Sequence, residues 1–196
     1  MKIARSKYYN LTEKELIKGC IKKELNAQRE LYMRYKDVLF TLCIKYCKHT
    51  EEAEDNLHDS FLDIYKSIKK YKQTGSFEGW MKRITINNAI NKYKKDRFIN
   101  VIINEEITEA EDVTVNPSEV ALSLNTILNT VQELPNRYRL VFNLYQLDDY
   151  SHKEIANLLD ISESTSKSNF HRAKLILKEK LKDINASLSS KIKNGQ

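Results

Sequence analysis

Residues 151–174, SHKEIANLLDISESTSKSNFHRAK, contain the most informative local pattern in the chain. Ser151 and Glu154 fit the capping-box pattern, in which a hydroxyl and a carboxylate satisfy the free amides at a helix start. A three-residue break, 160–162, separates this short helix from a second one. Asp160 stands in the break, where a left-handed conformation suits Asp better than most residues. Two helices joined by so tight a turn predict a helix-turn-helix.

The second helix of this pair is predicted to have two unlike sides. Phe170, Ala173 and Leu177 recur at helical spacing and form the side that packs. A helix that is merely solvated would usually alternate Glu with Lys, but the other side carries hydroxyl, amide, imidazole and cationic groups. These groups donate to phosphates and read base edges in the major groove. We predict DNA contacts by Ser164, Thr165, Lys167, Ser168, His171 and Arg172.

Helical periodicity also dominates the rest of the chain. Four Gly and two Pro in 196 residues argue against an all-β fold, which needs frequent turns. The sequence therefore predicts an all-α protein with two helical domains, residues 1–97 and 119–196. Thr12 and Glu15 form another capping box, and Thr50 is the predicted cap of the third helix. Further helices are predicted from Phe77–Trp80 to about Arg97, from Val120 to Glu133 and from Arg137 to Leu147. The second helix of the helix-turn-helix is predicted to end at about Ile184.

Charge is distributed unevenly along the chain. Residues 1–97 carry 22 Lys or Arg against 13 acids, and residues 119–196 carry 11 against 9. Residues 98–118 have five acids and no Lys or Arg, and their helical periodicity is lost. We interpret this acidic segment as a linker between two basic domains.

A second polar stripe lies on the helix that follows Trp80. Arg83, Asn87, Asn91 and Lys94 follow one another at steps of four, four and three residues, so they share a helix face. Between residues 66 and 97 there are ten basic residues, two acids and several interleaved aromatic rings. Basic groups follow a nucleic-acid backbone, and aromatic and amide groups hold unstacked bases. This mixture favours single-stranded or melted DNA, although core packing explains each ring taken alone.

Several classes of function are disfavoured by the sequence. The three cysteines lack a second pair at zinc-ligand spacing, so we predict buried thiols and no metal. The chain has no Gly-rich phosphate loop, paired carboxylates or nucleophile–base pattern, so neither an enzyme nor a cofactor is expected. No apolar run approaches the ~18 residues of a membrane span. A cytoplasmic protein without membrane insertion is therefore expected.

Two sets of motifs resemble the sigma-70 family of RNA polymerase subunits. Asp55-x-x-x-Asp59-x-Phe61-Leu62-x-x-Tyr65 and Phe77-x-x-Trp80-Met81-x-Arg83-Ile84-x-x-Asn87 resemble its region 2. Leu134-Pro135, Tyr150-Ser151-x-x-Glu154-Ile155-Ala156 and Thr165-x-Lys167-Ser168-x-x-x-Arg172-Ala173-Lys174 resemble its region 4. The presence of these two regions alone, with a short linker, is similar to the extracytoplasmic-function (ECF) group.

The resemblance implies a sigma factor that binds core RNA polymerase and recognises the −35 and −10 elements of promoter DNA, melting the latter. It implies that Asp55, Asp59, Phe61, Leu62 and Tyr65 face the polymerase, and that the helix-turn-helix reads the −35 element. It also implies −10 contacts by Lys72, Gln73, Thr74, Ser76, Phe77, Trp80, Arg83, Asn87, Asn91, Lys94 and Lys95. An anti-sigma factor, often membrane-bound in this group, is the further partner that the resemblance implies.

Two other functions remain open at this point. A transcriptional regulator could act on duplex DNA through the helix-turn-helix alone, without being a polymerase subunit. An all-helical adaptor would leave the basic faces merely solvated and would show no salt-dependent affinity for DNA. The regulator leaves Asp55, Asp59 and the Trp80 helix without a role.

Overall fold

The computed structural model describes residues 11–100 and 123–193, and every element in these ranges is helical. The chain divides into two compact units, Met1–Arg97 and Phe98–Gln196. This confirms the predicted all-α fold. Helix α4 continues through Asn100, three residues into the predicted linker, and the remainder of that segment, 101–118, lies outside the described residues.

The first unit contains four α-helices and one short 3₁₀ turn. Their bounds are α1 Glu13–Ile21, α2 Leu25–Tyr46, α3 Thr50–Ser67, the 3₁₀ turn Ile68–Lys70, and α4 Phe77–Asn100. The capping box predicted for α1 is confirmed, because the Thr12 backbone amide donates to Glu15 Oε2 at 2.9 Å and the Thr12 hydroxyl accepts from the Glu15 amide. Helix α3 starts differently from the prediction. Thr50 is the first helical residue and not the cap. The amide that is satisfied by a side chain at this end is that of Lys48, and its acceptor is the Glu52 carboxylate, at 2.8 Å, not the Thr50 hydroxyl.

Helices α1 and α2 approach each other closely at a glycine. A Cβ atom added to Gly19 would lie 2.7 Å from the Ala27 Cβ, so the two backbones pack with no room for a side chain. The turn between the helices is a Schellman motif, in which Glu24 N–H donates to Gly19 O and Lys23 N–H to Cys20 O. Lys23 has φ 61° in this turn, a left-handed conformation that usually calls for Gly.

A buried amide ties three helices of the first unit together. Asn56, on α3, is fully buried, and its Nδ2 donates to Cys43 Sγ on α2 at 3.3 Å and to Thr85 O on α4 at 3.2 Å. All three cysteines are buried and unbridged, as predicted. Burial raises the pKa of Cys20 and of Cys43 to about 11, so both are inert thiols at neutral pH.

The second unit contains the helix-turn-helix. Its elements are α5 Leu124–Gln132, α6 Asn136–Phe142, a π-helical turn Asn143–Leu147, α7 His152–Leu159 and α8 Glu163–Lys193. The Ser151–Glu154 capping box is confirmed, and Asp160 has φ 54° and ψ 49°, the predicted left-handed conformation. The core of this unit includes Val131, Leu134, Ala173 and Leu177, which join α5 to α8.

Two helices differ in length from the prediction. The helix predicted to reach Leu147 is α-helical only to Phe142, and the Asp148 amide then donates to Asn143 O, five residues earlier, at 3.1 Å. Helix α8 continues to Lys193, beyond the predicted end near Ile184, because no Gly or Pro interrupts the sequence before Gly195. The predicted start at Val120 lies outside the described residues.

Replacement of Gly19 by Ala tests the contact between α1 and α2. In an unconstrained helix this change would stabilise by about 1 kcal/mol through helix propensity. Because the new Cβ would meet Ala27, we expect the opposite sign, a loss of about 1–3 kcal/mol in the free energy of unfolding, measured in urea. Ala27→Gly should recover part of that loss in the double variant. A stabilised single variant would contradict the observed packing.

Candidate nucleic-acid interface

Helix α4 presents one buried side and one polar side. Met81, Ile86 and Ile90 are 4% exposed or less and form the packed side. Arg83 and Asn91 are exposed on the polar side, with the half-buried Asn87 between them. Within the described ranges, none of these three side chains has a hydrogen bond or ion pair. Three members of the predicted stripe, Arg83, Asn87 and Asn91, therefore share one side of α4, and their donors are available to a ligand. Lys94 is half-buried on the same side and Lys95 is exposed beside it.

The loop before α4 is exposed but held at its base. The side chains of Lys72, Gln73, Thr74 and Ser76 are all exposed. The Tyr71 hydroxyl donates to Gly75 O at 2.8 Å, and the Gly79 amide donates to Ser76 Oγ at 3.0 Å, which caps α4. Gln73 and Gly75 both have positive φ, 58° and 86°, so the loop makes two left-handed bends. A fixed loop with free polar tips suits the capture of a displaced base.

The aromatic residues at the start of α4 form a cluster. Phe77 stacks on Trp80 with 5.6 Å between centroids, and Tyr71 lies 5.1 Å from the Phe77 ring and 5.4 Å from the Trp80 ring. Phe77 is fully buried, so its ring supports its neighbours in this structure, and the predicted DNA contact by its side chain stays a prediction. Trp80 is half-buried and keeps an accessible part of its ring.

The residues predicted to face polymerase lie on α3, but they are not equally accessible. Asp55 is exposed and Leu62 is 43% exposed, an unusual position for a large apolar side chain. The Asp59 carboxylate is exposed but forms an ion pair, because its Oδ2 lies 3.0 Å from Lys92 Nζ on α4. Phe61 is only 3% exposed and packs on Tyr32, so its ring belongs to the core of the unit, and its predicted contact with polymerase stays a prediction. The Tyr65 hydroxyl donates to Gln28 O at 2.8 Å, which makes that side chain a link between helices.

Helix α8 begins with a cluster of hydroxyl groups. Ser162 caps the helix, since its Oγ accepts from the Thr165 amide at 2.9 Å, and the same oxygen lies within 2.8 Å of the Ser164 and Thr165 hydroxyls. Lys167 is exposed and pairs with Glu163 at 2.9 Å. The hydrogen bond and charge of Lys167 lower the pKa of Glu163. Ser168 and Arg172 are half-buried on the same helix.

One predicted residue of this helix lies mostly inside the unit. His171 is only 8% exposed, so little of its ring is accessible here, and its predicted DNA contact stays a prediction. Its Nε2 is buried without a hydrogen-bond partner among the described residues. Helical spacing placed His171 beside Lys167 and Ser168, but spacing cannot show where a neighbouring helix covers that face.

A polar contact inside the helix-turn-helix could not be predicted from sequence. Ser166 on α8 is fully buried, and its Oγ lies 2.9 Å from Nδ1 of His152, the first residue of α7. The His152 ring also stacks on Tyr145 at 4.2 Å between centroids. Ser166 occupies an inward position of α8, where an apolar residue is usual. A small polar residue there indicates that a buried partner exists, but it does not identify His152 as that partner. This contact fixes how the two helices of the motif meet.

No described helix is long and apolar enough to cross a membrane. Within the same residues, no group of three or more His, Cys, Asp or Glu side chains is positioned to hold a metal ion.

The two units thus define a class of protein, an all-helical protein with a helix-turn-helix in the second unit and an exposed polar side on helix α4 of the first. Comparison with known proteins identifies the family. The family described as "Sigma-70 region 2" matches residues 31–99, and the one described as "Sigma-70, region 4" matches residues 124–177. The chain belongs to the sigma-70 family, in its ECF group.

The similar proteins are sigma factors themselves. The chain is 29% identical to the ECF RNA polymerase sigma factor SigW of Bacillus subtilis over 183 residues, which cover 87% of this chain and 97% of SigW. It is 24% identical to the ECF RNA polymerase sigma-E factor of Escherichia coli K12, over 89% of this chain and 96% of that one. A solved structure, the sigma factor RpoE in complex with the anti-sigma factor NepR from Bartonella quintana, is 17% identical, with a TM-score of 0.49, over 79% of this chain and 96% of that chain.

The chain is therefore a sigma factor that directs promoter-specific transcription initiation, and it is not an enzyme. The family match includes a region in each unit, so both units belong to one sigma factor. A regulator that works through the helix-turn-helix alone does not account for region 2, and this alternative is set aside.

The His152 contact predicts a pH-dependent stability of the second unit. Burial lowers the pKa of His152 and Lys167 lowers it further, while Glu163 opposes the shift. The unfolded chain then binds the proton more readily than the folded one, so stability is retained above the ordinary pKa of about 6.5 and lost as pH falls below it. We expect faster amide exchange in α7 and α8 at pH 5.5 than at pH 7.5, after correction for intrinsic rates.

Two variants isolate this effect. His152→Gln keeps a polar partner for Ser166 but cannot be protonated, so its stability should depend less on pH than that of the wild type. His58→Gln replaces an exposed histidine of the first unit and should leave α7 and α8 unchanged. Equal pH dependence in the wild type and His152→Gln would refute the assignment.

Proposed function

We propose that the two units of this sigma factor divide the promoter between them. Region 2 holds the melted non-template strand of the −10 element on α4 and its preceding loop, and region 4 reads the −35 duplex with α8. The observation that carries this proposal is the row of Arg83, Asn87 and Asn91 on α4, which have no partner among the described residues and lie opposite a packed face. Exposed donors on a rigid helix are held in fixed positions, which suits them to bind an external acceptor.

Melting of the −10 element needs no chemical step under this proposal. Base capture offsets the cost of unstacking, which is a few kcal/mol per step. Arg83 supplies charge to the phosphates, the Asn87 and Asn91 amides can bond to base edges, and the accessible part of Trp80 offers a stacking surface. The exposed loop residues Lys72, Gln73, Thr74 and Ser76 would receive a displaced base, since their side chains reach solvent while the Tyr71 and Ser76 hydrogen bonds hold the loop.

Region 4 recognises duplex DNA under this proposal. The first turns of α8 carry Ser164, Thr165, Lys167, Ser168 and Arg172 toward the major groove, as in other helix-turn-helix proteins. Lys167 must exchange its Glu163 partner for a phosphate, which costs little because the pair is exposed. Because His171 is mostly buried, it serves this surface by positioning the helix.

The polymerase-binding face is assigned to α3 of region 2. Asp55 and Leu62 are exposed there and Asp59 is partly so, which combines carboxylates with an apolar anchor. Such a mixture is typical of a docking surface that is covered in a complex. Core polymerase is the partner that the family implies for this face.

An anti-sigma factor that covers these faces is the second partner we propose, and its support is the family relationship. The solved RpoE structure contains such a factor, NepR. Because polymerase and promoter DNA are cytoplasmic, we place the action of this chain in the cytoplasm.

A double variant of the α4 stripe, Arg83→Ala with Asn87→Ala, tests the −10 assignment. Loss of a phosphate contact and a base contact should reduce open-complex formation with core polymerase about tenfold or more. The measurement is the fluorescence of 2-aminopurine placed in the −10 element. Affinity for an isolated −35 duplex should be unchanged.

The matched control carries the same residue changes on another helix. Asn26 and Arg29 are both exposed on α2, and their replacement by Ala should leave promoter opening within a factor of two of the wild type. If both double variants lose opening equally, or if the α4 variant loses −35 binding as well, the two-site division fails.

A second double variant, Lys167→Ala with Arg172→Ala, tests the −35 assignment. Each lost phosphate contact should lower the slope of log affinity against log salt by about 1 and weaken binding to the −35 duplex. Titration of a labelled duplex at several salt concentrations measures both effects. Lys178→Ala with Lys182→Ala removes two exposed lysines farther along α8 and serves as control. An unchanged salt slope in the first variant would count against α8 as the reader.

A further inference from the structure

The first unit contains an open groove that the promoter surfaces do not use. Its volume is about 430 Å³, and it lies where α1 ends, α2 begins and α3 passes into the 3₁₀ turn. Cys20, Tyr65 and Ile68 contribute to its floor. Asp55 and Asp59 lie in the first half of α3, whereas the groove is lined by the last turns of that helix. It is therefore displaced along α3 from the carboxylates assigned to polymerase.

Three lysines line the groove together with this floor. They are Lys23, Lys66 and Lys69. Lys66 lies 3.3 Å from Asp63, an exposed pair that holds it only weakly. Lys23 and Lys69 have no ion pair among the described residues. The groove therefore presents positive charge around a largely apolar floor. A complementary ligand would carry negative charges beside an apolar face.

Lys23 occupies a backbone position that is unfavourable for it. It is the left-handed residue of the turn after α1, with φ 61°, where Gly would be free of strain. A lysine at such a position indicates a role beyond folding, because residues in strained backbone conformations cluster at active sites and ligand-binding sites. Here that side chain lines the groove.

An exposed apolar residue lies two positions after Lys23. Leu25, the first residue of α2, is 80% exposed, the highest value among the large apolar side chains of the described ranges. An apolar side chain gains nothing from a phosphate backbone, but it adds buried area to a protein contact. Tyr65, the aromatic ring of the groove, is half-buried with its hydroxyl bonded to Gln28, which leaves it poorly placed to stack on a base.

We propose that this groove binds an acidic amphipathic segment of a partner protein. The apolar side chains of that segment would lie on the groove floor and on Leu25, and its carboxylates would meet Lys23, Lys66 and Lys69. This surface lies beyond the exposed part of α3, Asp55 to Leu62, that is assigned to polymerase. Tyr65, which the family resemblance also places toward polymerase, lines its floor with the hydroxyl bonded to Gln28.

A fluorescein-labelled 15-residue peptide tests the proposal. It carries Leu at helical spacing and Glu elsewhere, and its binding to the full chain is followed by fluorescence anisotropy. We expect saturable binding by this peptide and none by the same peptide with Lys in place of Glu. Lys23→Gly should weaken the affinity at least threefold without lowering the melting temperature, because Gly relieves the left-handed residue. Leu25→Ser should also weaken it.

The matched control is Lys48→Gly, which removes one exposed lysine from the loop between α2 and α3 and should change affinity less than twofold. The proposal is overturned if the acidic peptide does not saturate, if the control weakens it equally, or if Lys23→Gly lowers the melting temperature. It is also overturned if Lys23→Gly weakens binding of a labelled 15-nucleotide oligo-dT instead, which would make the groove a nucleic-acid surface. The assay contains neither polymerase nor promoter DNA, so its result is independent of the promoter contacts.

Discussion

The burial of one side of α4 is the constraint on which region 2 depends. Phe77, Met81 and Ile90 are fixed in the core, and the buried Asn56 amide bonds to the backbone of the same helix at Thr85. Because an α-helix is rigid, fixing one side also fixes the spacing and direction of the other. The amides of Asn87 and Asn91 and the guanidinium of Arg83 are thereby held in one row, with no hydrogen bond to another described residue. Under the proposed −10 contact, this preorganisation would lower the cost of capturing a base.

Region 4 applies the same constraint in a smaller unit. Helix α8 buries Ala173 and Leu177 against α5, and it meets α7 through the Ser166–His152 contact. A buried hydroxyl and an imidazole are costly unless they are bonded to each other, so the pair permits one arrangement of the two helices and disfavours others. The direction in which α8 presents Lys167 and Arg172 therefore depends on a contact on its opposite side. A histidine in that contact makes the same arrangement sensitive to pH.

The groove beside Lys23 shows how packing and binding can compete at one residue. The Schellman turn lets Gly19 bring α1 against Ala27, and this close approach determines where the helix must reverse. Glycine at the left-handed position would favour folding alone. Lysine is present instead and lines a cavity with two other lysines, next to an apolar side chain that the fold leaves uncovered. Stability and binding thus make opposite demands on position 23.

The helices, both capping boxes, the left-handed Asp160 and the two polar stripes could be predicted from the sequence, because they depend on local spacing and on the chemistry of adjacent residues. The family could be predicted from motifs within single helices. Which members of each stripe are accessible follows only from the packed structure, because accessibility depends on neighbouring helices that local spacing does not describe. Phe61, Phe77 and His171 are buried for this reason, while the side chains of Asn87 and Arg83 have no partner among the described residues. The Ser166–His152 pair and the lysine groove likewise join residues far apart in the chain, and no periodic pattern connects them.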